Sequence, residues 1–401
     1  MDLFRFPPFP DSLYDALGYP KEGKCSDILI ISQEEADAYY AAAERCFRDV
    51  DSAAEYFIAS RRLDELGIPD YAVPVIERTY REYIRHPHML GRFDFAGGLA
   101  GLPIKLLEFN ADTPFSIFEV SSLQYALARY HELDPDHFQY NSLFEQLRDF
   151  FAELLPAHAG RGVLFTNAAD GEDDLNTFII KDAAKHAGLT GTCLHWTDVC
   201  IDRDHGLCSV DKSGAYIDKI FHLMIKMVPW DLLFLEDERM ARELLRSMER
   251  DPGLVVCNPP YAAVYQSKAL LAHVQRLFPE NPHFLPAASS PLPDVAQVAK
   301  PIWGREGRNI TIWENGQAVT RTDGFYARQP LIYQQKAELV CDGTHYYQAG
   351  VFISAEVPCG LGFRRGPSPI ITTDDAMIGH IVDHGDIRTR PTLRPYLLSL
   401  P

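Results

Sequence analysis

The sequence predicts a mixed α/β protein, and three observations carry that expectation. Between residues 160 and 260, strand-like and helix-like patterns alternate, which suggests a mostly parallel sheet covered by helices. From residue 298 onward short strands recur: VAKPIW, NITIWE, LIYQQ, YYQAGVFIS, LGFRR and PIITT. Residues 91–112, GRFDFAGGLAGLPIKLLEFNAD, read as two strands joined by a turn holding Gly97, Gly98 and Gly101.

Taken in order, the first 25 residues are rich in proline and read as an irregular arm ahead of a strand over 27–31. GYPKEGKC at 18–25 nearly matches a phosphate-binding loop. Cys25 stands where Ser or Thr should meet Mg2+, and the motif precedes a strand instead of following one, so it reads as coincidence. Ser32-Gln-Glu-Glu35 is a capping box. It opens a long helix through residue 47 and on toward 66, and a second helix covers 74–85. His86 and His88 have no third metal ligand nearby and read as surface residues. After the hairpin come expected helices at 116–129 and 142–155, a strand at 162–166, a helix at 173–187 and strands at 191–196 and 218–224. A helix at 235–249, a strand at 254–257 and a helix at 267–278 follow. A proline-bearing loop over 286–298 leads to the final strands, with Asn315-Gly316 as a tight hairpin turn. Four parts result: a helical layer at 1–85, the hairpin and its helices at 86–155, an α/β domain at 156–262 and a C-terminal part at 263–401.

The 401 residues suggest two or three domains at roughly 150 residues each. A content of 46% hydrophobic and 23% charged residues allows a sizeable core. The net charge of −18 argues against nucleic acid or an anionic membrane as partner. It suits a cationic substrate as well as it suits plain solubility. The eight cysteines form no CxxC pair and read as reduced thiols. With no signal-peptide pattern and no apolar run long enough to span a bilayer, the cytoplasm is the expected location. The oligomeric state is left open.

The hairpin's alternation puts chemistry on one face. Side chains two apart on a strand point the same way. Arg92 and Asp94 therefore share a face, as do Glu108 and Asn110. One guanidinium, two carboxylates and an amide suit Mg2+ carrying a nucleotide's phosphates. An ordinary hairpin whose polar face meets water fits the same alternation. Lys268 and Lys300 could each contact phosphate as a point charge. Gly304-Arg305-Glu306-Gly307 reads as a mobile loop able to close over phosphates, or as a simple turn. Glu172, Asp173 and Asp174 open a helix, where acids are favoured in any case.

RFDF and then LLEFNADTPFSIFE resemble the synthetase domain of the glutathionylspermidine synthase family and its stand-alone relatives. The resemblance runs from about residue 75 to the C-terminus. It implies an ATP-grasp ligase that joins a carboxylate to an amine, forming ADP through an acyl phosphate. The grasp would be discontinuous, built from the hairpin and the C-terminal part, with a Rossmann-like pre-ATP-grasp domain inserted between them. ATP and two Mg2+ are the implied cofactors. Asp94 and Glu108 would share one Mg2+, and Glu108 with Asn110 would hold the other. Arg92 would stabilise developing charge and touch both ATP and substrate. Lys268, in SKALL, and Lys300, in VAKP, fall where the family has ATP-contacting lysines, in slightly altered contexts that keep the charge. Arg305, with Glu306 and Gly307, would form a lid over ATP. Gln334 and Gln335 match the hinge beside adenine, and Arg364 matches an arginine near the reacting carboxylate. Thr113 would meet the acid substrate, and Glu172 and Asp374 the amine. The implied substrates are a peptide-like or glutathione carboxylate and a polyamine-like amine. The amidase domain of some relatives has no room before residue 75. Two rivals stand beside this reading. A catalytically impaired ATP-binding protein should have lost a metal ligand or the lid arginine, and neither is lost. An enzyme with a dinucleotide site at 160–260 should carry GxGxxG, which is missing.

Overall fold

The long helix Gln33–Ala59 begins where the sequence says it should. Ser32 Oγ accepts from the Glu35 N–H (3.1 Å), and the Glu35 carboxylate accepts from the Ser32 N–H (2.8 Å). Two of the orphan donors at the helix start are thereby satisfied. Ser32→Ala is expected to cost about 1 kcal/mol of stability, read as a lower urea midpoint at unchanged slope. The helix buries Ala36, Tyr39, Ala43, Phe47, Val50 and Phe57 as one stripe. That stripe packs on Phe93, Phe95 and Phe109 from the back of the hairpin. Phe93 and Phe109 stack across the two strands with ring centroids 3.9 Å apart.

The computed structural model describes residues 1–7, 10–17, 26–134, 139–168, 171–210, 217–385 and 387–399, so GYPKEGKC lies outside the described residues. Among those described, the protein is a mixed α/β structure of four sheets. The largest is nine-stranded. Its order is Leu397–Ser399, Asp2–Arg5, Asp27–Ser32, Ala376–Asp383, Val357–Gly366, Tyr346–Ser354, Leu90–Ala96 and Lys105–Asn110, with Val340–Cys341 beside Tyr346–Ser354. A five-stranded antiparallel sheet, formed from residues 287–335, flanks it. A four-stranded parallel sheet is ordered Val255–Cys257, Leu223–Lys226, Val163–Asn167 and Thr192–His195. Alternate residues of its central strands enter different cores. Val163, Phe165, Leu223 and Ile225 pack under the helices Leu143–His158 and Gly171–His186, while Leu164 and Met224 join the core of the long helix. Burial on both faces is what makes such strands read as continuous apolar runs. The fourth sheet joins Cys200–Asp202, Gly206–Val210 and Ile217–Ile220.

Several expectations need correction. The N-terminal arm is not irregular throughout: Asp2–Arg5 is a strand paired on both edges, with Leu3 and Phe4 buried. His86 and His88 are buried, not on the surface. The expected helix at 116–129 starts as a wide π turn, Glu119–Leu123, before Gln124–Tyr130. The weak strand at 218–224 is two strands in different sheets, Ile217–Ile220 and Leu223–Lys226. The helix at 235–249 is split at Asp237, whose carboxylate caps Glu238–Met248 by accepting from the Met240 N–H (3.1 Å). The helix at 267–278 is two pieces, a 3-10 turn Lys268–Leu270 and Leu271–Leu277, and a separate short helix, Ala262–Gln266, precedes it. The loop at 286–298 contains the short strand Ala287–Ala288. PIITT forms no strand, and the last long strand is Ala376–Asp383. Asn315 and Gly316, both at positive φ, do turn the chain between Thr311–Glu314 and Gln317–Arg321.

Candidate active site

Strand register sets the geometry. Asp94 lies directly opposite Glu108, and Arg92 opposite Asn110. Arg92 grips both Asp94 oxygens, from Nε (2.6 Å) and Nη2 (2.9 Å), and donates from Nη1 to the Phe115 carbonyl (2.6 Å). The Asn110 amide donates to Asp94 (2.9 Å) and Glu108 (3.1 Å). Lys268 Nζ lies 3.1 Å from Glu108 and donates to the Gly304 carbonyl (2.7 Å). Lys300 Nζ donates to the Leu107 carbonyl (2.6 Å) and to Gln334 (2.8 Å), whose own amide donates to the Leu106 carbonyl (3.1 Å).

These contacts set the charge states. Burial pushes the Asp94 carboxyl up, against the pull of Arg92. Burial also opposes ionisation of Glu108, but Lys268 and Lys300 outweigh it and hold that carboxyl down to about 2. Burial depresses Lys300 to about 8, although Glu108 draws it the other way. The result is a largely buried patch where cations and carboxylates are close to balanced. Such a patch responds strongly to an added phosphate or metal ion.

The patch is the floor of a cleft of about 500 Å3. Arg92, Asp94, Glu108, Asn110, Thr113, Lys300, Arg305, Glu306, Gly307, Gln334, Gln335 and Arg364 all line it. Residues spread over 270 positions are thus brought to one concavity by the nine- and five-stranded sheets. Lys268 acts from just beneath, through Glu108. Asp374 is exposed and does not line the cleft, although its neighbour Thr373 does. The Glu172 side chain lies outside the described ones. Asp173 accepts from the Ala168 N–H (3.3 Å), and Asp174 accepts from the Asn167 amide (2.9 Å) and lies 3.4 Å from His195 Nε2.

The Gly304–Gly307 loop is docked rather than hanging free. Arg305 pairs with the buried Asp231 and reaches Thr113 (3.4 Å). Gly307 has φ +68, and a Cβ there would stand 2.5 Å from the Ile371 carbonyl. Arg364 donates to the carbonyls of Thr372 (2.5 Å), Thr373 (3.1 Å) and Asp375 (3.1 Å). Both arginines are therefore held at the cleft by defined partners.

Sequence reasoning passed over the residues that fix this floor in place. Asp112 and Lys226 form a fully buried ion pair (2.6 Å), and Asp112 also accepts from the Trp230 N–H (2.6 Å). Asn258, fully buried, accepts from the N–H groups of Met89 (2.6 Å) and Leu90 (3.1 Å). It donates to the carbonyls of Leu90 (2.8 Å), Ala111 (3.2 Å) and Asp112 (2.6 Å). Gln266 accepts from Ala111 N–H (2.7 Å). Lys226 and Asn258 stand at the carboxyl ends of parallel strands, where open α/β sheets bind ligands. Each is a lone polar residue closing an apolar run, and that was the available signal.

The residues fit Mg2+ only in company with a nucleotide. Among the described residues no group of three or more acidic, histidine or cysteine side chains could hold a metal ion. Two carboxylates and an amide suit Mg2+, which commonly takes one or two protein carboxylates and completes its shell with phosphate and water.

Comparison with known proteins defines the class first. The fold matches that of a glutathione synthetase-like effector from Globodera pallida, with a TM-score of 0.54 at 12% identity over 88% of each chain. The family model described as glutathionylspermidine synthase pre-ATP-grasp matches residues 15–383, and the chain belongs to that family. A candidate acid–amine ligase of Haemophilus influenzae is 30% identical over 320 residues, covering 76% of this chain and 77% of that one. The trypanothione synthetase of Crithidia fasciculata is 24% identical over 81% of this chain. The glutathionylspermidine synthase of the same organism is 24% identical over 64%. The chain spans 52% and 38% of the length of those two relatives. Among the described residues no helix is long and apolar enough to cross a membrane.

Proposed function

We propose that this protein is an ATP-dependent, ADP-forming carboxylate–amine ligase with an ATP-grasp site and an acyl-phosphate intermediate. The observation that supports it most is the meeting of Arg92, Lys300, Arg305 and Arg364 with Asp94, Glu108 and Asn110 in one cleft. A carboxylate does not react with an amine at neutral pH until its oxygen is made a leaving group. The carboxylate oxygen attacks the γ-phosphorus of ATP, the bond to ADP breaks, and the amine then displaces phosphate from the acyl carbon. Four cations around one cleft are what transfer between two anions requires.

Arg92 and Arg305 stabilise charge on the moving phosphoryl group, and Arg364 orients the acid. Thr113, beside Arg305, contacts the acid, while Asp374, next in the chain to the cleft-lining Thr373, and Glu172 are assigned to the amine. Lys300 and Lys268 hold phosphate oxygens, with Glu306 and Gly307 in the covering loop. Asp94, Glu108 and Asn110 would hold Mg2+, which would neutralise phosphate charge during transfer. The Gln335 N–H is taken by the Pro286 carbonyl and that of Lys336 by Ala296 (2.8 Å each). Adenine therefore falls to the cleft-lining backbone from Ala337 onward, with the Gln334 and Gln335 side chains alongside. The proposed substrates are a peptide-like acid, glutathione among them, and a polyamine, with the cytoplasm as their common compartment.

Incubation with ATP, glutathione and spermidine, followed by ADP release and product mass, tests this directly. ATP binding without turnover for any acid–amine pair would leave an impaired ATP-binding protein instead. The depressed Lys300 gives a further expectation. Its ammonium is present below pH 8 and lost as pH rises through about 8, so kcat/KM for ATP should fall on that limb. Lys300→Arg, if folded and active, should lose the limb. An unchanged alkaline profile would remove Lys300 from phosphate binding.

A further inference from the structure

A second cavity, of about 720 Å3, lies on the other side of the hairpin and shares no lining residue with the cleft. Its wall draws on several separate elements. The long helix supplies Phe47, Asp51 and Glu55, and the helix Val73–Arg81 supplies Glu77 and Tyr80. Tyr261 and Tyr265 come from the segment after the parallel sheet. The tight turn between Tyr346–Ser354 and Val357–Gly366 brings Glu356.

The wall offers acceptors and π faces, with Arg61 and Arg81 as its cationic donors. Tyr80 (3.0 Å) and Tyr265 (2.6 Å) both donate their hydroxyl protons to Asp51, and Tyr261 donates to the His86 carbonyl (2.9 Å). The rings form a continuous edge-to-face array, Tyr80 to Tyr261 at 5.5 Å, Tyr261 to Tyr265 at 5.7 Å and Tyr265 to Phe47 at 6.1 Å. Four carboxylates face two arginines, one of which, Arg61, is spread toward Glu77 at 3.6 Å.

His88 supplies an independent observation. It lines this cavity, is 5% exposed, and its Nδ1 has no hydrogen-bond partner. Its Nε2 lies 2.5 Å from the Ala111 carbonyl, which can only accept, so Nε2 carries the proton. Burial lowers the ring to about 4, which keeps it neutral at ordinary pH. Nδ1 is then a buried acceptor in want of a donor. Carboxylates, an unsatisfied imidazole nitrogen and aromatic faces together describe a receptor for N–H-bearing cations. Acids on three separate elements match more than one ammonium group.

We propose that this cavity is a second binding site, for a linear di- or polyammonium ion, separate from the cleft. The ligand's ammonium groups meet Asp51, Glu77 and Glu356, and its methylene stem lies on the tyrosine rings. Through His88 the site touches Ala111, the residue following Asn110. Occupancy is thereby felt at the back of the hairpin.

Titration calorimetry with spermine at about 0.15 M salt tests the site independently of catalysis. Wild-type protein should bind, and Glu77→Gln combined with Glu356→Gln should weaken that binding by about tenfold or more. Because both positions lie at the cavity's edge, folding is checked by Tm, and Glu55→Gln serves as a second variant. Glu108→Ala, in the cleft, should leave this affinity in place. The 15N shift of His88 Nδ1 should move on addition of spermine in wild type and in Glu108→Ala. Absence of spermine binding, equal affinity in the double variant, or loss of all binding in Glu108→Ala would each overturn the assignment. None of those results bears on whether the cleft ligates.

Discussion

Replacing Glu108 by alanine is expected to lower ATP-dependent turnover by at least about 10^2–10^3-fold. Three consequences converge on that one carboxylate. It is the counter-charge for Lys268 at 3.1 Å and the main favourable charge acting on Lys300, and both lysines are buried. Without it, two ammonium groups lose their counter-charge in a largely buried site, and Lys300, already depressed, is pushed further toward its neutral form. Asn110 loses one of its two acceptors as well. The proposed metal position also loses one of its two carboxylates. Glu108→Gln separates the effects, because it keeps the shape and one oxygen while removing the charge. Both variants should fold, since the group borders a solvent-facing cleft, and near-UV circular dichroism checks this. Turnover within tenfold of wild type for Glu108→Ala would exclude the residue from the chemistry.

The largest loss of stability is expected from Lys226→Met, about 3–5 kcal/mol by chemical denaturation. The cause is what remains and not what is removed. Asp112 has no exposed side-chain surface, and burial already pushes its carboxyl up. Deprived of Lys226, it must stay charged in a dry interior or take up a proton. Lys226→Met with Asp112→Asn should be less destabilised than Lys226→Met alone, because the neutral amide retains an oxygen for the Trp230 N–H. A single variant as stable as wild type would show that Asp112 finds other compensation, Arg305 being a cation whose charge already acts on it. Since Arg305 is paired to Asp231 beside this cluster, Lys226→Met should also raise the KM for ATP.

The parts of the fold that were legible are those fixed by short-range physics. The Ser32–Glu35 box, the Asn315-Gly316 turn and the alternation of Arg92, Asp94, Glu108 and Asn110 each depend on neighbours a few positions away. The apolar strands of the parallel sheet were legible because both of their faces are buried. Resemblance carried the roles of the more distant cleft residues Lys300, Arg305 and Arg364, while the glycines around Arg305 marked only a mobile loop or a turn.

What was not legible depends on partners far along the chain. Leu3 and Phe4 become a strand because residues 27–30 and 397–399 lie on either side of them. The break at Phe221 and His222 sends two halves of one apolar run to different sheets, which periodicity does not record. PIITT has strand propensity, but the carbonyls of Thr372 and Thr373 are taken by Arg364 and the segment turns. His88 looked like a surface residue because its burial comes from Phe47, Phe109 and Tyr265. Asp112 and Lys226 are 114 positions apart, and only the packing of the parallel sheet against the hairpin joins them.

The order of the nine-stranded sheet bears on how the protein leaves the ribosome. The hairpin at 90–110 emerges early, yet its inner edge pairs with residues 349–354, and the strand Asp27–Ser32 pairs with residues 379–383. Until the chain has been made past residue 383, those edges present unpaired N–H and C=O groups and apolar faces. Such edges invite pairing with another chain. The parallel sheet has no such dependence, since its four strands fall within residues 163–257. Synthesis should therefore yield a protease-resistant α/β unit first, while the half that carries the cleft waits on the last strand and relies on chaperone cover meanwhile.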